Sequence, residues 1–258
     1  GSYIMKILKL GQMLGGSNAP SGGFSNLYSL NFDGVDDYLN LGDSNDFSFG
    51  DGATDSPFSV SMWVKLNATA TQAFFVKGSS SDKEYQILSG ANQKLRIRLY
   101  DDSTGGHIQT QVDALLTTGS WNHYVFTYDG SSDKSGLKIY VNASLVAQTT
   151  NNSGSYTAME NTTAELRVAS SEQNSFYLNG DIDEVALFDI ELSSSQITDI
   201  YNSGTPTDLT SHAGLEGYWR NGDTAGTSVY PTIEDYSSNS NDGTMTNMVS
   251  GDITTEVP

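Results

Sequence analysis

Apolar and polar residues alternate with a period of two through much of the chain, most cleanly over Phe58-Ser-Val-Ser-Met-Trp-Val-Lys-Leu66. In a strand, successive side chains point to opposite faces, so Phe58, Val60, Met62, Val64 and Leu66 share one side and Trp63 takes the other. The same pattern predicts strands at residues 27–32, 38–41, 73–77, 85–89, 95–100 and 107–112, then at 122–128, 137–141 with 145–149, 165–169 and 176–188. Ser89-Gly90, Asp129-Gly130 and Asn179-Gly180 are the turn signals between them. Short strands at this regular spacing, without a solenoid-type repeat, predict an all-β fold, a two-sheet jelly-roll sandwich.

One segment changes period. Ser193-Ser-Ser-Gln196 forms a capping box, Ile197, Ile200 and Tyr201 follow at helical spacing, and Gly204 supplies a stop. A short helix is therefore expected after the last long strand. That strand, Gly180-Asp-Ile-Asp-Glu-Val-Ala-Leu-Phe188, sets Asp181, Asp183 and Glu184 among core residues. Residues 1–4 read as a cloning remnant and the Gly-, Ser- and Asn-rich stretch up to residue 26 as a flexible arm. The sandwich takes residues 27–204. Residues 205–258 hold too few apolar positions for a core of their own and are expected to add edge strands to it.

Charge narrows the functions. With 12 Lys and Arg against 31 Asp and Glu, the net charge is −19, which repels phosphate backbones and argues against a nucleic-acid partner. The absence of cysteine excludes disulfides, thiolate metal sites and cysteine nucleophiles. The apolar run after Met5 is too short for a secretory leader or a membrane span.

Five segments in order resemble the laminin-G-like branch of the concanavalin A-like lectin/glucanase domains, which includes pentraxin-like modules. They are Leu30-Asn-Phe-Asp-Gly-Val-Asp-Asp-Tyr38, the strand from Phe58 to Lys65, Trp121-Asn-His-Tyr-Val-Phe-Thr-Tyr-Asp-Gly130, Leu137-Lys-Ile-Tyr-Val-Asn142, and the acidic strand with its helix. The resemblance implies a structural calcium ion joining the turn after the first strand to the last long strand, with Asp33, Gly34, Asp37 and Asp183 as ligands. Calcium suits such a mixture of carboxylate and carbonyl oxygens. Without an ion, the acids of residues 33–37 would cap the amides of a turn.

The glucanases of this superfamily resemble Glu-x-Asp-x-x-Glu, whereas Asp181-Ile-Asp-Glu184 has no glutamate pair of that kind. His123 has no Gly-x-Ser-x-Gly motif to serve. No catalytic residue is assigned, and the protein is read as a non-enzyme. Sugar platforms are sought at Tyr85, Tyr100, Tyr156 and Trp219, beside loops such as residues 101–106. The segment Gly217-Tyr-Trp-Arg220 with Asp235-Tyr-Ser-Ser-Asn-Ser-Asn-Asp-Gly-Thr244 is similar to one that often precedes such domains, and here it follows one. That order suggests a bacteriophage virion or tail-associated protein, assembled in the host cytoplasm, whose partners are glycans, cell-surface polysaccharide or virion neighbours. An oligomer is compatible with that setting. The alternatives are a secreted carbohydrate-binding adhesin module and a polysaccharide hydrolase or lyase.

Overall fold

A computed structural model describes residues 24–171, 176–223 and 230–258. Most of the predicted arm therefore lies outside the described residues. The first half contains β1 (Ser29–Asp33), β2 (Tyr38–Gly42), β3 (Phe58–Leu66), β4 (Ala73–Gly78), β5 (Lys83–Ser89), β6 (Leu95–Asp101) and β7 (Gly106–Val112). Next come β8 (Trp121–Tyr128), β9 (Lys138–Val141), β10 (Ser144–Leu145), β11 (Gln148–Ser153), β12 (Leu166–Val168), β13 (Ser170–Ser171) and β14 (Phe176–Tyr177). β15 (Asn179–Phe188) and α1 (Ser194–Tyr201) precede β16 (Leu215–Trp219), β17 (Thr232–Ile233), β18 (Gly243–Thr246) and β19 (Ile253–Thr254).

Two antiparallel sheets face each other. One runs β10-β9-β8-β3-β15-β1-β19 with β16 joined to β15, and the other runs β11-β7-β6-β5-β4-β12-β2-β18-β17. The predicted inward set of β3 (Phe58, Val60, Met62, Val64 and Leu66) is buried in the core between them. There it meets Leu95, Ile97 and Leu99 of β6 and Leu39 and Leu41 of β2. Phe49 stacks on Phe58 at 4.6 Å between ring centroids, an offset aromatic contact that adds to simple burial.

A second, smaller core lies on the outer side of the eight-stranded sheet. Ile197 and Ile200 of α1 close it with Ala186, Phe188, Leu192, Leu209 and Tyr218. Trp63, outward on β3, stacks on Tyr201 of the helix at 5.8 Å. The capping box is present: Gln196 donates its backbone N–H to Ser193 Oγ, and Ser193 N–H donates to Gln196 Oε1. The helix is capped two residues before the glycine signal, because Asn202 takes the left-handed conformation (φ 44°) and ends it.

Three sequence expectations change. Residues 145–149 are not one strand: β10 belongs to the eight-stranded sheet and β11 to the nine-stranded one. Residues 176–188 break at Leu178, whose N–H donates to Ala169 O. Gly180 is no turn but lies within β15, paired with Leu66 and Phe32, where a Cβ would sit 2.3 Å from the Lys65 carbonyl oxygen. Among the described residues, no helix is long and apolar enough to cross a membrane.

Candidate functional site

The acidic strand occupies a seam. On one edge of β15, β1 pairs with residues 179–182 and β16 with residues 185–188, so Asp183 and Glu184 fall where one partner strand gives way to the other. On the opposite edge the register with β3 shifts between Asp183 and Ala186, a β-bulge, and Glu184 has φ 49°. The bulge turns the Glu184 side chain into a buried polar cluster. Arg220 Nε donates to Glu184 Oε1 at 3.2 Å, and the Tyr218 hydroxyl donates to Glu184 Oε2. Arg220 also donates to Ser25 O at 2.6 Å and lies 3.6 Å from Asp223, whose carboxylate accepts the N–H groups of Leu27 and Tyr28. Asp183 accepts from Asn26 Nδ2 at 2.8 Å and from the Glu184 N–H. Burial, reinforced by the Glu184 carboxylate, pushes the Asp183 carboxyl well above its ordinary range. Burial likewise raises Glu184, against the opposing pull of Arg220.

This geometry corrects the predicted calcium set. Asp33 pairs across the sheet with Asn179, four positions along β15 from Asp183, a separation of about 13 Å at strand rise. Asn179, not Asp183, abuts the turn: a Cβ on Gly34 (φ 79°) would lie 2.8 Å from Asn179 Cβ. The structure gathers Asp33, Asp36 and Asp37, each with a carboxylate oxygen within 4.8 Å of the others. Asp33 Oδ1 accepts the N–H of Val35 and Asp37 Oδ2 that of Asp33, so both acids also shape the turn. Burial, with the carboxylates of Asp33, Asp252 and Asp36 nearby, raises the Asp37 carboxyl to about 6, although the Asp33 N–H works against it. The donor chemistry fits a hard cation held by Asp33, Asp36 and Asp37. It does not extend to Asp183.

The other predicted candidates scatter. His123 Nε2 is 2.8 Å from Ser61 Oγ, but both residues are buried and burial lowers the imidazole to about 3. His123 Nδ1 has no hydrogen-bond partner among the described residues, so no third group orients the ring as general-base catalysis would need. Asp181 accepts from Asn31 Nδ2 at 2.8 Å and faces Lys65 at 4.0 Å. Tyr85 and Trp219 are fully buried: the Tyr85 hydroxyl donates to Phe47 O and Trp219 Nε1 to Asn241 O. Neither can act as a surface platform. Tyr156 is half-buried, its hydroxyl donating to Asp55.

Tyr100 is also buried, at 8% exposure, but it sits in a polar array on the outer side of the nine-stranded sheet. Leu95, Ile97 and Leu99 point inward from β6, which leaves Arg96, Arg98 and Tyr100 outward. Arg98 stands opposite Gln86 of β5 and Gln109 of β7, Tyr100 opposite His107, and Arg96 opposite Gln111. Arg98 Nε and Nη2 both donate to Gln109 Oε1, at 3.1 and 2.8 Å, and Nη1 donates to the Tyr100 hydroxyl, which in turn donates to Gln86. Lys83 Nζ lies 5.8 Å from the Tyr100 ring centroid. Farther along, Arg167 of β12 covers the Tyr38 ring at 4.7 Å. Sequence reading passed over these arginines, although the alternation Leu95-Arg-Ile-Arg-Leu-Tyr100 placed them together on the polar side of a strand.

Comparison with known proteins agrees with the architecture. The family profile Laminin_G_3, described as the concanavalin A-like lectin/glucanases superfamily, matches residues 33–198. No curated protein matches the chain. Among solved structures, a candidate carbohydrate-binding protein from Bacteroides ovatus ATCC 8483 aligns with TM-score 0.61 and 15% identity over 90% of this chain. The alignment spans 60% of that protein's length. A heptameric SAP-like pentraxin from Limulus polyphemus aligns at 0.48 and 14% identity, over 70% of this chain and 86% of its own. Domain 4 of the GH43 arabinanase AbnA from Geobacillus stearothermophilus, in complex with arabinotriose, aligns at 0.42 and 22% identity, over 58% and 69%.

Proposed function

The chain belongs to the concanavalin A-like lectin/glucanases superfamily, and we propose that it is a non-enzymatic glycan-binding module. The observation that carries this reading is the inequality of the two outer sheet faces. On the eight-stranded sheet, α1 and the following segment build a second core, and the acids of β15 are spent on Asn26, Tyr218 and Arg220. On the nine-stranded sheet, part-exposed guanidinium, amide and imidazole groups of β6 and β7 stand side by side, backed by the buried Gln86 and Tyr100. Planar polar side chains placed side by side are a means by which a protein surface takes hold of sugar hydroxyls.

A glycan array with the intact chain tests this. Binding to at least one glycan class, with no sugar released on prolonged incubation, is the expected result. Silence across the array would sink the binding reading, and liberated sugar the non-enzymatic one. The setting we favour for such a module is a bacteriophage virion or tail, in contact with glycans or virion neighbours, and the second is a secreted adhesin. Capsid or tail genes beside its own would favour the first.

We also propose that calcium occupies the turn bearing Asp33, Asp36 and Asp37. Asp37 binds a proton more tightly in the folded state, so its contribution to stability is complete below about pH 4 and is lost as pH rises through about 6. Above that, a cation would neutralise the trio. Calcium should raise the melting temperature of the wild type at pH 7.5. Asp37→Asn should abolish that rise and flatten the pH dependence between 4 and 6. A midpoint unmoved by calcium and by chelator would count against the ion.

A further inference from the structure

We propose that the outer face of the nine-stranded sheet, at Arg96, Arg98, Tyr100 and His107, binds glycans that carry anionic groups, carboxylate or sulfate. The inference rests on the glycan-binding reading above and adds the chemical class of the ligand.

Three of the four arginines of this chain, Arg96, Arg98 and Arg167, lie at outward positions of this one sheet, in a molecule of net charge −19. Arg167 has its own carboxylate, Glu165, at 2.8 Å. Arg96 and Arg98 have none: among the described residues no acid lies within ion-pair distance of either. Acids of the neighbouring segments are engaged elsewhere. Asp101 accepts from Ser103, Thr104 and Thr157, Glu160 from the amides of Asp102 and Ser103, and Glu84 from Thr162 while it pairs with Lys77. In so acidic a protein, two adjacent guanidinium groups without a counter-ion are positioned for an anion supplied from outside.

The donors are also counted out for one. A guanidinium has five N–H donors. Arg98 spends three of them on Gln109 and Tyr100, which lock its plane and leave two for a ligand. Arg96 is part-exposed, and its Nε, itself buried, has no hydrogen-bond partner among the described residues, so this guanidinium is not locked to the sheet as Arg98 is. The planar fork pairs with carboxylate or sulfate oxygens, and a group already held in place loses little freedom on binding. The Tyr100 ring is buried, at 8% exposure, and lies 5.7 Å from Arg98 and 5.5 Å from His107, so it backs these polar groups and is not itself a stacking surface. Burial first, then the charges of Arg98 and Arg96, lowers His107 to about 4, so the positive charge of this face comes from the arginines and not from the imidazole.

The test uses the full chain in binding titrations with polygalacturonate, alginate, polysialate and dextran sulfate, against plain dextran and fully methyl-esterified polygalacturonate as uncharged counterparts. At least one acidic polymer should bind, more weakly as salt rises, while the uncharged counterparts do not. The carboxylated and sulfated arms identify the anion. Arg96→Ala and Arg98→Ala should each weaken that binding about tenfold, and the double variant by about a hundredfold, with melting temperature unchanged. Arg98→Lys should recover only part, since a point charge lacks the fork. The His107 titration midpoint should move up from about 4 when the polymer is bound. Equal binding of polygalacturonate and its methyl ester, equal binding of polyglutamate, or no binding by any acidic polymer would overturn the proposal. Where only neutral glycans bind on the array, the anionic specificity fails and the glycan-binding module stands; where none binds, both fail.

Discussion

Arg220→Met is expected to destabilise the fold by about 3–5 kcal/mol, because it leaves buried carboxylates without their cation. Glu184 and Asp223 have side-chain exposures of 3% and 5%, and both lie within 4.0 Å of the guanidinium. Nor is charge the only loss. The Arg220 guanidinium covers the Phe24 ring at 4.4 Å and donates to Ser25 O, so it fastens the segment entering β1 as well as β15. A melting temperature lower by about 10 °C or more is the predicted reading. Combining the change with Glu184→Gln should return part of it, since removing both charges leaves less to desolvate than removing one. An Arg220→Met midpoint within 2 °C of wild type would mean that the seam does not hold the strands together.

Trp219→Ala should cost a similar amount, about 3–5 kcal/mol, by a different route. The indole is fully buried in the main core, edge-on to Phe47 at 6.0 Å, and its Nε1 donates to Asn241 O at 2.9 Å. Truncation opens a cavity and strands that carbonyl, while Trp219→Phe keeps much of the volume and should lose less. Trp219 pairs with Val185 and bridges Asp235, so the same substitution loosens the grip of residues 215–246 on the sandwich. Chemical denaturation of the three proteins checks the ranking: an alanine variant as stable as the phenylalanine one would show that the ring fills no space the core needs.

Both variants probe contacts that sequence patterning reached only halfway. The inward face of β3 and the capped helix were legible, since each follows from a local period and a local hydrogen-bond geometry. The fate of Asp183 was not. A bulge at residue 184 changes the register on one edge, and the partner on the other is a strand more than 30 residues downstream, neither of which leaves a local mark. Trp219 and Tyr85 read as platforms because an aromatic at a strand position looks the same from either face. Arg96 and Arg98 carried a readable signal in their alternation, but their lack of carboxylate partners became visible only when the sheet placed β5 and β7 beside them.

The division of labour is the central point. The acids of β15 hold the sandwich together, and the arginines of the opposite sheet face outward to a ligand. Parallel titrations of wild type, Arg220→Met and Arg96→Ala/Arg98→Ala with the acidic polymer bound by wild type, at a temperature where all three are folded, test it directly. Unchanged affinity for Arg220→Met, with binding lost in the double arginine variant despite an unaltered melting temperature, is the predicted result. Binding lost in Arg220→Met and kept in the double variant would contradict it and return the site to the acidic strand.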